Sequence, residues 1–125
     1  MLNVNEDQFE LLVSDAIDAI PEKYFKKIKN VVFVTADEPT PEQIQKLRLL
    51  PGHSLFGLYE GIPLTSRNSG YNLVLPDKIT IFRLPMLSYC KDEISLKGQV
   101  HKTVWHEVAH YFGLSHEAMD KLGGI

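Results

Sequence analysis

A chain of 125 residues, 44% hydrophobic and 23% charged, has the size and balance of one globular domain, and residues 1–125 are read as such. A net charge of −3 argues against a nucleic-acid or anionic-membrane partner, and no apolar run approaches the roughly 18 residues that span a bilayer. The acidic start, Met1 to Asp7, lacks the order of a secretory signal, and the single cysteine, Cys90, forms no internal disulfide, so a reducing cytoplasm and a buried, inert thiol are expected.

The elements follow in chain order. Phe9, Leu12, Val13, Ala16, Ile17 and Ile20 recur at three- and four-residue spacings, which predicts an amphipathic helix from Asn5 to Ala19, stopped by Pro21. Val31 to Val34 is a short apolar run, read as a buried strand. Pro39-Thr40-Pro41-Glu42 opens a helix that runs to Leu49. Leu55 to Glu60 reads as a second strand, and Gly61 to Tyr71 as a mobile polar loop bordering a cleft. Ile79 to Arg83 is a third strand, closed by Pro85, with a short helix around Met86 to Lys91. A long helix spans Ser95 to Phe112 or Gly113, and Glu117 to Leu122 forms a short closing helix.

On the long helix, Val100, Val104, Val108 and Tyr111 fall on one side. His106 and His110 fall on roughly the opposite side, with Gln99 and Thr103, so the core stripe anchors the helix while the histidines face a cleft. Trp105 lies between and is assigned to packing.

His106 to His116 spells H-E-x-x-H-x-x-G-x-x-H, a zinc-peptidase signature. Histidines four apart lie one helical turn apart, so both rings reach one ion. Gly113 can take the left-handed conformation that ends a helix and turns the chain back, which would bring His116 in as a third nitrogen ligand. Three imidazoles leave one tetrahedral position for water, the mark of a catalytic zinc site. Glu107, about 100° around the helix from His106, is poorly placed to join the ligands and well placed to deprotonate that water. A plan with a distant glutamate as third ligand has little room downstream of His110. There Glu117 and Asp120 are either acceptors for a ligand imidazole or solvated charges. His53 and His101 are read as surface or hydrogen-bonded histidines. Tyr59, Arg67 and Tyr71 are candidates for oxyanion stabilisation as well as for plain packing.

Beside the metal motif stand two further blocks, Leu55 to Thr65 (LFGLYEGIPLT) and Leu75 to Arg83 (LPDKITIFR). Together they resemble the short, mostly bacterial, zincin-like metallopeptidases, sometimes called minimal zincins. The resemblance runs from Leu55 to His116. It implies an α/β (α+β) fold in which a small mixed sheet covers an active-site helix flanked by others. It also implies His106, His110 and His116 as ligands of one zinc per chain and Glu107 as the catalytic base. The true metzincins carry a methionine turn well beyond the third histidine, and Met119 is too close to serve as one.

The function expected is hydrolysis of peptide bonds in an unidentified peptide or protein substrate, laid extended along an edge strand for which Leu55 to Glu60 is the candidate. One alternative is a metal-dependent RNA hydrolase, against which Glu107 and the acidic balance argue. Another is a non-catalytic metal-binding protein on a zincin scaffold.

Overall fold

In the computed structural model, the residues described are 1–47, 55–63, 67 and 75–114. The chain opens with α1 (Glu6–Asp18) and the single turn α2 (Glu22–Phe25), then β1 (Val31–Ala36) and α3 (Pro41–Leu47). It continues through β2 (Gly57–Glu60), β3 (Asp77–Phe82), α4 (Arg83–Tyr89) and α5 (Glu93–Phe112). The segment from Glu117 to Leu122, read as a closing helix, lies outside the described residues.

Local chemistry sets most helix ends. Asn5 caps α1 by a reciprocal pair of bonds with Gln8, at 2.8 and 2.9 Å. Thr40 and Gln43 make the same exchange at the start of α3, with Pro41 in the first turn, where its missing N–H is no loss. Asp92 and Ser95 repeat it on α5. At the other end of α5, Gly113 has φ +77°, the left-handed conformation expected of it.

The single turn α2 was not expected, and most strand and helix ends fall a few residues from the sequence reading, the end of β3 with a clear physical reason. Pro85 does not close the third strand; β3 ends at Phe82, and α4 starts at once with Pro85 as its third residue. Proline is tolerated there because first-turn N–H groups have no intrahelical partner.

The sheet is mixed, in the order β1-β3-β2, with β1 parallel and β2 antiparallel to β3. Alternation sorts the strands into two faces. Phe33, Ile79 and Tyr59 share one level of the inner face, and Thr35, Ile81 and Gly57 the next. Ile79 and Ile81 are fully buried there, in one core with Phe9, Val13, Leu96, Val100, Val104 and Val108 from α1 and α5. The stripe expected on α5 is thus the one that anchors it, and Trp105 is buried with its ring 5.2 Å from that of Tyr24. Cys90 is buried as expected, and burial raises its thiol pKa. The first strand is not buried on both sides as its apolar run suggested: β1 is an edge strand among the described residues, and Val32 and Val34 on its outer face are exposed. Among the described residues no helix is long and apolar enough to cross a membrane.

Candidate metal centre

The residues of interest ride on the side of α5 that meets β2. Thr103, Glu107 and Tyr111 form one row at i, i+4 and i+8. Gly57 packs on its first two members: a Cβ added there would stand 2.7 Å from Thr103 Cγ2 and 3.2 Å from Glu107 Cγ. The strand therefore approaches the helix closely because position 57 carries no side chain. Two residues along β2, Tyr59 packs edge-on against Tyr111, with ring centroids 6.1 Å apart.

Beside this row stand the two helical histidines. The His106 and His110 rings meet edge to face with centroids 4.6 Å apart. The His110 Nδ1–H donates to Glu107 Oε1 across 3.0 Å, a bond that fixes ring orientation. The same bond raises the His110 pKa above its ordinary value and outweighs the opposing effect of burial; the nearby carboxylate charge adds to it. Glu107 is only 5% exposed, so its carboxylate is held by protein rather than water. His116, the expected third ligand, lies outside the described residues, as do Glu117, Asp120, His53 and Tyr71.

One ligand atom each from His106, Glu107 and His110 lie within 4.8 Å of one another. Ligands of a tetrahedral zinc at about 2.1 Å stand roughly 3.4 Å apart, a spacing of the same order. Two imidazole nitrogens with a carboxylate beside them suit a borderline ion such as Zn²⁺. The residues fit a metal, and Glu107 stands closer to the ligand nitrogens than its angular offset on the helix suggested.

Tyr59 and Arg67, considered as oxyanion donors, are committed elsewhere. Both converge on Asp77, a residue the sequence reading missed. Tyr59 donates its hydroxyl to Asp77 Oδ2 at 2.5 Å, and an Arg67 guanidinium nitrogen meets the same oxygen at 2.6 Å. Arg67 Nε also donates to the Ile62 carbonyl at 2.8 Å, and the guanidinium lies over the Tyr111 ring. Burial, followed by the bond to Asp77, pushes the Tyr59 pKa far up, so the phenol keeps its proton. Gly61 completes this corner, since a Cβ there would fall 2.6 and 2.7 Å from the two Asp77 carboxylate oxygens. An aspartate opening a strand inside a hydrophobic block, with an arginine in the preceding loop, is the signal that could have found the pair. Of the loop read as mobile, residues 61–63 and 67 are described, and Arg67 is tied to β3.

His101 also departs from expectation. It is half-buried, and its buried Nε2 has no hydrogen-bond partner among the described residues.

A small mixed sheet lying across a helix that presents H-E-x-x-H is the arrangement of a zincin. The chain belongs to the zincin-like metallopeptidase family, whose model matches residues 28–124. The family implies a metal, usually zinc, and a peptidase-like architecture. No curated protein sequence matches the chain. Among solved structures, it is similar to a conserved hypothetical protein from T. thermophilus, with a TM-score of 0.57 and 20% identity. That match covers 96% of this chain and 98% of the other, and it speaks for the fold.

Proposed function

We propose that this protein is a zinc-dependent peptidase, with His106, His110 and His116 as ligands of one ion and Glu107 as general base. The observation that carries the reading is the buried Glu107 carboxylate, 3.0 Å from the His110 ring and packed beneath the edge strand β2. A bound Zn²⁺ supplies Lewis acidity and lowers the pKa of its water toward about 7.

The chain's own residues do the rest. Glu107 accepts the proton of the attacking water on a carboxylate oxygen and passes it to the departing amine nitrogen. Its bond to His110 orients both groups before substrate arrives. β2 hydrogen-bonds β3 on one side, and its other side has no strand neighbour among the described residues. An extended peptide added along that edge runs beside Gly57, the residue packed on Glu107.

The test joins metal content to turnover. Protein purified without a histidine tag should contain about one zinc per chain, the count a three-histidine site gives. It should cleave members of a mixed peptide library, lose that activity on chelation and regain it with zinc. His106→Ala and His110→Ala should lose the metal, and His116→Ala should weaken its binding more than Asp120→Ala does. Full zinc loading with no cleavage of peptide would favour the non-catalytic scaffold. Cleavage of structured RNA instead would favour the hydrolase of the other class.

A further inference from the structure

We propose that the free edge of β1, with the groove between β1 and α1, is a docking site for an extended basic segment of another protein, which joins the sheet as a fourth strand. The site lies on the opposite edge of the sheet from β2 and stands independently of the peptidase reading.

Natural edge strands are blunted by charged residues, proline or a bulge. β1 has none of these: it reads VVFVTA, and its register with β3 is unbroken. The Asp77 N–H donates to the Asn30 carbonyl at 2.9 Å, with Val31 opposite Asp77. Alternate residues of a strand bond to the same neighbour, so Val32 and Val34 turn their N–H and C=O groups to β3. Phe33 and Thr35 turn theirs to the other side, which has no strand neighbour among the described residues. Their side chains face α1 across the groove.

Two recesses lie between β1 and α1. One, of about 460 Å³, is walled by Val13, Ile17, Phe33 and Val34. The other, of about 250 Å³, is walled by Glu6, Ala36, Asp37 and Arg83. Both include Glu10 and Thr35, so they form one groove, apolar at the Phe33 end and acidic at the Asp37 end. Arg83 is spent on Asp37 and on the Val4 carbonyl, which leaves Glu6 and Glu10 to set the sign. Both are exposed, and neither forms an ion pair among the described residues. The whole of α1 carries Glu6, Asp7, Glu10, Asp15 and Asp18 and no Lys or Arg. A strand with apolar side chains at one end and Lys or Arg at the other complements both ends of the groove. Antiparallel pairing with the β1 of a second copy would instead bring two acidic helices onto one face, and VVFVTA supplies no cation to offset them.

The probe is the peptide acetyl-Lys-Thr-Lys-Thr-Val-Thr-Leu-amide, which puts Lys, Lys, Val and Leu on one face of a strand. Laid antiparallel to β1, it sets its lysines at the acidic end of the groove and its valine and leucine at the apolar end. Titrated into zinc-loaded, ¹⁵N-labelled protein, it should move the amide signals of Val32 to Ala36 and of Val13 to Ile17, and slow hydrogen exchange at Phe33 and Thr35. Glu6→Gln with Glu10→Gln should weaken binding by about fivefold, the worth of two exposed ion pairs. Glutamate in place of both lysines of the probe should weaken it further. N-methylation of the probe's valine should cost about fivefold, the worth of one backbone hydrogen bond. Equal binding of the lysine and glutamate peptides would overturn the proposal, as would indifference to N-methylation. Shifts confined to the β2 side of the sheet, or no binding at millimolar peptide, would overturn it as well. Self-association through the β1 amides, seen by sedimentation and untouched by the probe, would give the edge to a second copy instead.

Discussion

The close approach of Gly57 to α5 is a single-residue requirement with a measurable consequence. Gly57→Ala puts a methyl group 2.7 Å from Thr103 Cγ2 and 3.2 Å from Glu107 Cγ, so the strand or the glutamate must move. Overpacking of this kind costs about 1–3 kcal/mol, to be read from urea unfolding. Thr103→Ser removes the methyl that is struck first and should restore part of the loss in the double variant. Arg67 makes a second case. Its ion pair with Asp77 is largely buried, the side chains being 12% and 4% exposed, so removing Arg67 leaves the Asp77 charge with only the Tyr59 hydroxyl as partner among the bonds described. Arg67→Met should cost about 3 kcal/mol, and adding Asp77→Asn should recover much of it, because the pair itself is worth less than the penalty for breaking it. An additive double variant would contradict that coupling.

Among the elements, α5 depends on its caps. The Ser95 N–H bond to Asp92, helped by the Ser95 hydroxyl, holds the Asp92 carboxyl below its ordinary value. A carboxyl depressed in the folded state stabilises above its unfolded pKa and loses that contribution as pH falls through the folded one. Asp92→Ala should therefore lower the melting temperature at pH 7, and the gap between variant and wild type should narrow in acid. A gap that widens toward acid would contradict the linkage. At the far end, Gly113→Ala forces a side chain into φ +77° and should cost about 1–2 kcal/mol in urea unfolding. The longer helices were legible because their signals are local: the spacing of Phe9, Val13 and Ala16, the Thr40-Pro41 start, and Gly113 as a stop; the single turn α2 is too short to carry such a signal. The strands were legible as short apolar runs. The end of β3 was not, because Pro85 stops a strand and opens a helix equally well. Asp77 was missed for a different reason. Its partners Tyr59 and Arg67 lie 18 and 10 residues away; the antiparallel pairing of β2 with β3 brings Tyr59 to it, and Arg67 reaches it from the segment that follows β2. Glu107 and the two helical histidines needed no such long-range information, since one turn of helix sets their geometry.

At the scale of the whole molecule, a three-stranded sheet and α5 enclose the core and leave one side of the helix for chemistry. The core stripe Val100, Val104 and Val108 fixes the helix, β2 crosses it at Gly57, and Glu107 is buried where the two meet. The fold thereby holds a carboxylate beside two imidazoles, next to a strand whose second edge has no strand neighbour among the described residues. The central claim is that this carboxylate moves the proton in peptide hydrolysis. Glu107→Gln tests it directly, because the amide keeps the size and the hydrogen-bonding reach of the acid but cannot take up a proton at neutral pH. Wild type and Glu107→Gln are to be compared on one peptide library at matched zinc content and matched melting temperature. The account predicts retained zinc and a rate lower by about 100- to 10,000-fold. Peptide cleavage by Glu107→Gln at close to the wild-type rate would contradict it.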